Sequence, residues 1–332
     1  MTDAQPPEFK IETRAARPWV KPAALAASII IIALLPLFLG DSYMIHVLIL
    51  TFTYIVTGVS FRTISISGQF SIAHAAFMGI GAYVAGMASK WLNLPPWLTL
   101  PMGGIAATVI GMAFNYPFSR LRAIYYAMGS LFFGVVIINV ISTGGDLTGG
   151  YSGLPGIHPI FADRVSYYYL FMGLALFSII ALHRFEFSRI GWTLKAIAQS
   201  HLVASSVGIN EGSYRILAVG VGSFFVGLVG AAYAHYNMVI SPSSFNLGAT
   251  LWICMYVLIG GIYSFAGPLI GTAILVIIPE FFRSLKIYSP YISAGILIII
   301  VYLMPEGLAG LPRVMRLRMA RRRERKGATH AA

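Results

Sequence analysis

The chain has 332 residues, of which 58% are hydrophobic and 10% charged; 23 Lys and Arg against 11 Asp and Glu give a net charge of +12. A mean hydropathy of +0.78 and so few charges are far from a soluble domain, in which about 25% of residues are charged; they place the chain in a membrane, and nothing in them suggests a separate soluble domain. The one cysteine, Cys254, excludes an intrachain disulfide.

Residues 1–22 are polar and carry Lys10, Arg14, Arg17 and Lys21; they are expected to form a cytoplasmic N-terminal segment. The apolar run at 23–39 is too long for a signal-peptide core and lacks a small-x-small cleavage pattern, so it is predicted as the first of ten spans. The others are predicted at 43–61, 68–89, 97–116, 123–141, 167–183, 214–236, 248–262, 265–282 and 290–304, each near the about 20 residues that cross a hydrocarbon core. With the N-terminus inside, nineteen cations fall in inside segments and four outside, namely Lys90, Arg164, Arg283 and Lys286. That excess orients the chain and puts both termini in the cytoplasm. The tail, 305–332, has eight cations from Arg313 to Lys326, which suit an anionic lipid surface better than a nucleic acid. The expected fold class is an all-α integral membrane protein with a transmembrane domain at 23–304.

Within the spans, chemistry is sparse. Of the acids, only Glu280 is placed in a span, whereas ion-coupled carriers put carboxylates at mid-membrane. His46, His74 and His235 read first as packing histidines. Ser67-Gly68-Gln69 could break the third span near mid-depth, where exposed backbone needs protein or a water-filled cavity beside it; Gln69, Ser71 and His74 are then candidate pathway residues. Gly68, Gly79 and Gly81 read first as close helix contacts. Gly149, Gly150 and Gly153 belong to a long outside loop, either flexible or serving as a gate or binding-protein docking surface. Trp97, Tyr167, Tyr168 and Tyr169 sit near span ends, as an interfacial belt would. No Ser/His/Asp set, carboxylate pair or metal-ligand spacing is assembled, so no catalytic or metal residues are assigned. No P-loop occurs, so any ATP must be bound by another subunit.

The longest inside loop, 184–213, is too polar to cross. Leu194, Ile197, Ala198 and Leu202 recur at helical spacing, with Gly191 and Gly208 bracketing the predicted helix. Such a helix lies on lipid or docks into a soluble partner, and its few cations favour the partner.

The run R-I-G-W-T-L-K-A-I-A at 189–198, continuing to G-I-N at 208–210, resembles the coupling loop of the LivM-type permeases of branched-chain amino acid ABC importers. Four further segments agree in order: G-Q-F-S-I-A-H at 68–74, T-G-G-Y-S-G-L at 148–154, I-S-P-S-S-F with G-G-I-Y-S-F-A-G-P-L-I-G across 240–271, and P-E-G-L-A-G-L at 305–311. The resemblance implies a type II importer-like permease: half of a translocation pathway, made with a second homologous permease or a second copy. Two cytoplasmic ATPases carrying ATP and Mg would serve it, with an external binding protein supplying a branched-chain or other hydrophobic amino acid. It also implies the bacterial inner membrane as location and Arg189, Gly191, Lys195, Ala196, Ala204 and Gly208 as coupling positions. The loop departs from the family in carrying fewer charges, which implies a correspondingly apolar partner surface. The alternative is a secondary, non-ATP carrier of small organic solutes.

Overall fold

The computed structural model describes residues 30–36, 42–121, 123–262, 264–281 and 295. Residues 1–40 form a unit by themselves, of which a short helix at 30–36 (α1) is described. The rest of the described chain is helical: α2 (Ser42–Ser65), α3 (His74–Leu92), α4 (Pro96–Phe118), α5 (Ala123–Thr143), α6 (Gly145–Thr148), α7 (Arg164–Glu186), α8 (Arg189–Gln199), α9 (His201–Ser206), α10 (Glu211–Asn237), α11 (Leu247–Gly260) and α12 (Ala266–Phe281). Two short strands, β1 (Leu154–Pro155) and β2 (Val239–Ile240), pair antiparallel. Among the described residues six helices are long and apolar enough to cross a membrane: α2, α4, α5, α7, α10 and α11 with the turn before it. Predicted spans two to nine each have their helix; the tenth, the N-terminal segment, the tail and its cations lie outside the described residues.

In an apolar medium a helix must satisfy its own polar groups. α2 does so repeatedly: Thr51, Thr53, Thr57, Thr63 and Ser65 each donate a hydroxyl hydrogen to the carbonyl four residues back. The helices meet through small residues. A Cβ on Gly81 (α3) would lie 2.1 Å from the Gly227 oxygen (α10), and one on Gly103 (α4) 2.7 Å from the Gly81 oxygen. Three backbones therefore touch at one crossing, as small residues allow in membranes, and the packing reading of Gly81 holds. α11 and α12 meet likewise at Gly260, Gly267 and Gly271. One core joins α2, α7 and α10 around Phe52, Tyr168, Phe171 and Val229; another joins α3, α4 and α10 and takes in Leu154, Ile157 and Ile240 from the loops.

The structure corrects four expectations. The third span begins at His74, not 68: residues 66–73 are a non-helical turn in which Ser67, Gln69, Ser71 and Ala73 are buried and Gly68 is exposed. α7 runs on to Glu186, whose carboxylate is buried at the helix end rather than lying in a solvated loop. Tyr167 and Tyr168 are core residues, not an interfacial belt, although Trp97 and Tyr169 are exposed. The loop helix expected between Gly191 and Gly208 is two helices, because Ser200 takes an extended conformation (φ −156°, ψ 104°) and caps a second one.

Candidate functional site

α2 and α7 end on the side of the bundle where α8 and α9 lie. Ser188 opens α8, its hydroxyl accepting from the Gly191 amide at 3.4 Å and donating to the Phe185 carbonyl at 2.7 Å. Gly191 is thus inside the helix rather than at its start. A Cβ there would lie 2.1 Å from the Glu186 oxygen and 2.6 Å from the Phe185 oxygen, so only glycine lets α8 seat on the last carbonyls of α7. Leu194 and Ile197 are buried beside it. Ala198 is exposed, although its Cα is 3.4 Å from where a Gly68 side chain would begin. Leu202 falls on α9 and is exposed, so the expected four-residue stripe is not continuous.

The outward side of α8 carries Arg189, Trp192, Ala196 and Gln199, spaced along one face. α9 buries Ala204 and exposes Leu202 and Val203, followed by exposed Val207. Gly208 (φ +84°) ends it, and the Ile209 amide then bonds the Ala204 carbonyl at 3.1 Å. Asn210 caps α10 by accepting from the Ser213 amide at 3.3 Å. The six family-matched positions thus divide: Gly191, Lys195 and Ala204 face the bundle, while Arg189, Ala196 and Gly208 face away.

Beneath this segment lies an ion cluster that spacing alone does not reveal. Arg62 of α2 donates to both carboxylate oxygens of Glu186, at 2.7 and 3.0 Å, and Lys195 of α8 reaches the first of them at 3.0 Å. Arg62 and Glu186 are almost wholly buried; the Lys195 side chain keeps 24% exposure, its ammonium 4.7 Å from the ring centre of Phe187 and 4.8 Å from that of Trp192. A carboxylate shared by two cations is already neutralised and makes a poor ion-carrier site.

The partly buried turn at 66–73 is held by its own backbone bonds at Ile66, Ser67 and Gly68 and by a side chain from another helix. The Ile72 amide donates to Ser130 at 2.8 Å, as non-helical backbone inside a membrane bundle requires, and at the start of α3 the Ala75 amide donates to Thr250 at 3.2 Å. Gly68 has φ +80°, a conformation that suits glycine. Ser60 donates to the Gly222 carbonyl at 2.6 Å, so at 3.4 Å it accepts from Nε2–H of His74, leaving His74 Nδ1 buried without a partner. Both polar atoms of the Gln69 side chain are also buried and unpartnered, and Ser71 is buried. Among the described residues no hydrogen bond joins Gln69, Ser71 and His74 to one another.

At the opposite end, the loop of 144–163 is built rather than slack. Gly149, Gly150 and Gly153 all have positive φ, and a Cβ on Gly153 would lie 2.4 Å from the Ile240 oxygen, where β1 meets β2. His235 of α10 donates from Nδ1 to the His158 carbonyl and bonds Thr99 through Nε2, both at 2.7 Å. Tyr167 donates to the His235 carbonyl at 2.9 Å and accepts from the Ile160 amide at 2.7 Å. Gly153 is thereby placed against β2. At its far side Asp163 caps α7, and the Ser166 amide and hydroxyl hold its carboxyl below the usual range.

Comparisons with known proteins bear on what such a bundle is. The family described as branched-chain amino acid transport system / permease component matches residues 43–305. The high-affinity branched-chain amino acid transport system permease protein LivM of Escherichia coli K12 is 22% identical over 324 residues, covering 89% of this chain and 76% of its own length. The corresponding protein LivH is 25% identical in Salmonella typhimurium and 26% in Escherichia coli K12, each over 288 residues, or 79% of this chain and 92% of theirs. No solved structure matches the chain. With the match running from the start of α2 past the end of α12, this multi-pass membrane protein belongs to the branched-chain amino acid transport permease family.

Proposed function

We propose that the chain is the membrane-spanning permease subunit of an ATP-driven importer for branched-chain or other hydrophobic amino acids, forming half of the pathway and docking an ATPase subunit through α8–α9. The observation that carries the reading is this segment itself. It lies outside the spans, is seated on α7 through Gly191 and anchored by Lys195, and turns outward an apolar face of Trp192, Ala196, Leu202, Val203 and Val207. An unpartnered amphipathic helix fits a groove in a soluble partner. The remaining assembly is a second permease subunit or copy, two cytoplasmic ATPases holding ATP and Mg, and an external binding protein. The chain sits in the bacterial inner membrane with both termini cytoplasmic. Gln69, Ser71 and His74 are the proposed pathway residues, because two of them bury polar atoms that lack a partner. Gly149, Gly150 and Gly153 shape the external docking surface.

The test is a pull-down of the tagged chain in mild detergent, with subunits identified by mass spectrometry, beside Ala196→Asp and Val203→Asp. Both substitutions are exposed and leave the bundle untouched. Native chain that recovers a second permease and ATPases, with the ATPases lost from the variants, supports the reading. Native chain that runs alone and transports in vesicles without ATP replaces it with a secondary carrier.

A further inference from the structure

Glu186 draws together three helices: Arg62 at the end of α2, which is remote in sequence, its own position at the end of α7, and Lys195 within the next helix, α8. As a device for stability alone it is poorly chosen, since a buried cluster of two cations and one carboxylate is matched or bettered by apolar residues of the same volume. What it supplies is direction. Arg62 grips both oxygens of Glu186 side-on, which fixes α2 against α7 in angle as well as distance. Lys195 takes hold of the same carboxylate from α8.

α8 meets the bundle at three successive levels: Gly191 on the last carbonyls of α7, Lys195 on the carboxylate, and Ala198 on Gly68 in the turn after α2. α2 in turn is the helix against which α11 and α12 pack. A Cβ on Gly58 would lie 3.3 Å from Thr272 Oγ1, 3.4 Å from Val257 and 3.5 Å from Pro268. The Arg62 arm is buried; the Lys195 arm is the one that solvent reaches, its ammonium held at once by the carboxylate and by the rings of Phe187 and Trp192. One arm is thus enclosed and the other lies at the solvent-accessible edge of the cluster.

We infer that Glu186 is the positioning residue through which a displacement of α8–α9 is delivered to α2, and through α2 to α11 and α12. The inference rests on the reading that α8–α9 docks an ATPase. Its test uses the whole complex in proteoliposomes, measuring ATP hydrolysis and uptake of labelled leucine, isoleucine or valine on the same sample. Lys195→Met keeps an apolar stem over the rings but removes the ammonium. The pair R62M/E186M exchanges the buried ions for apolar side chains, so that the helices stay packed. Both are expected to keep their ATPase subunits and their hydrolysis while uptake per ATP falls about five-fold or more, and Lys195→Arg is expected to restore the ratio. A purely structural role would lower stability without moving that ratio.

If the double variant fails to assemble, Lys195→Met decides. A native ratio in Lys195→Met overturns the inference, as does loss of the ATPases from it, which would make Lys195 a docking residue. A native complex that recovers no ATPase, or takes up solute without ATP, brings down the docking reading instead.

Discussion

Gly191→Ala is the smallest change that separates a seated docking helix from a loose one. The added methyl would start 2.1 Å from the Glu186 oxygen and must retreat to at least 3.0 Å, so α8 has to lift from the end of α7 by about 1 Å. Backbone carbonyls of a packed helix do not yield, and overpacking of this kind costs about 1–3 kcal/mol. The same lift stretches the 3.0 Å bridge from Lys195 to Glu186 toward the limit of an ion pair. The chain carries its own reporter: Cys254 is its single cysteine and is buried, so a thiol-reactive dye brightens only on unfolding. For Gly191→Ala in detergent the midpoint should fall by about 2–4 °C for each kcal/mol lost. Ala196→Val, on the outward face of the same helix, should stay within about 0.5 kcal/mol of native. If Gly191→Ala unfolds at the native temperature, the close approach of α8 to α7 is wrong, and with it the division of α8 into bundle-facing and outward residues.

Two further outcomes concern the other end. Gly153→Ala puts a side chain on a residue with φ +87° and 2.4 Å from the Ile240 oxygen; with about 1–2 kcal/mol for the left-handed conformation alone, β1 should detach from β2 and protease should cut within 144–163 faster than in the native chain. Tyr167→Phe removes the donor to the His235 carbonyl and the acceptor of the Ile160 amide; leaving such groups unpaired costs about 1–3 kcal/mol, and the same thiol assay should register it while Tyr125→Phe, on an exposed face of α5, changes nothing.

Which parts of this molecule could be read from its residues follows from how local each signal is. Spans two to nine were legible because a run of apolar residues is a property of consecutive positions. The break near Ser67-Gly68-Gln69 was legible too, since glycine and polar residues interrupt such a run, but its extent to Ala73 is supported by Ser130, which arrives from α5. Glu186 was misplaced in a loop for the same reason: only the folded chain brings Arg62 and Lys195 to it. In α8 the spacing showed a helix and could not say which face was inward, because Gly191 and Ala196 look equally small in sequence and only the α7 carbonyls distinguish them. The glycines at 149, 150 and 153 were open to two readings, a flexible loop or a gate or docking surface, because positive φ serves a tightly folded turn as well and the partner strand lies some 85 residues on. Tyr167 and Tyr168 sit where a belt would, but they are turned into the core of α2 and α10.

The meeting of α3, α4 and α10 at Gly81, Gly103 and Gly227 has a mechanical consequence. Where backbone lies on backbone there is no layer of side chains to change rotamer, and sliding one helix past another would drive Cα atoms into carbonyl oxygens. The crossing is in effect an axle. Relative movement of these three helices is thereby limited to turning about it, whereas α2 and α7 meet through longer side chains such as Phe52, Tyr168 and Phe171.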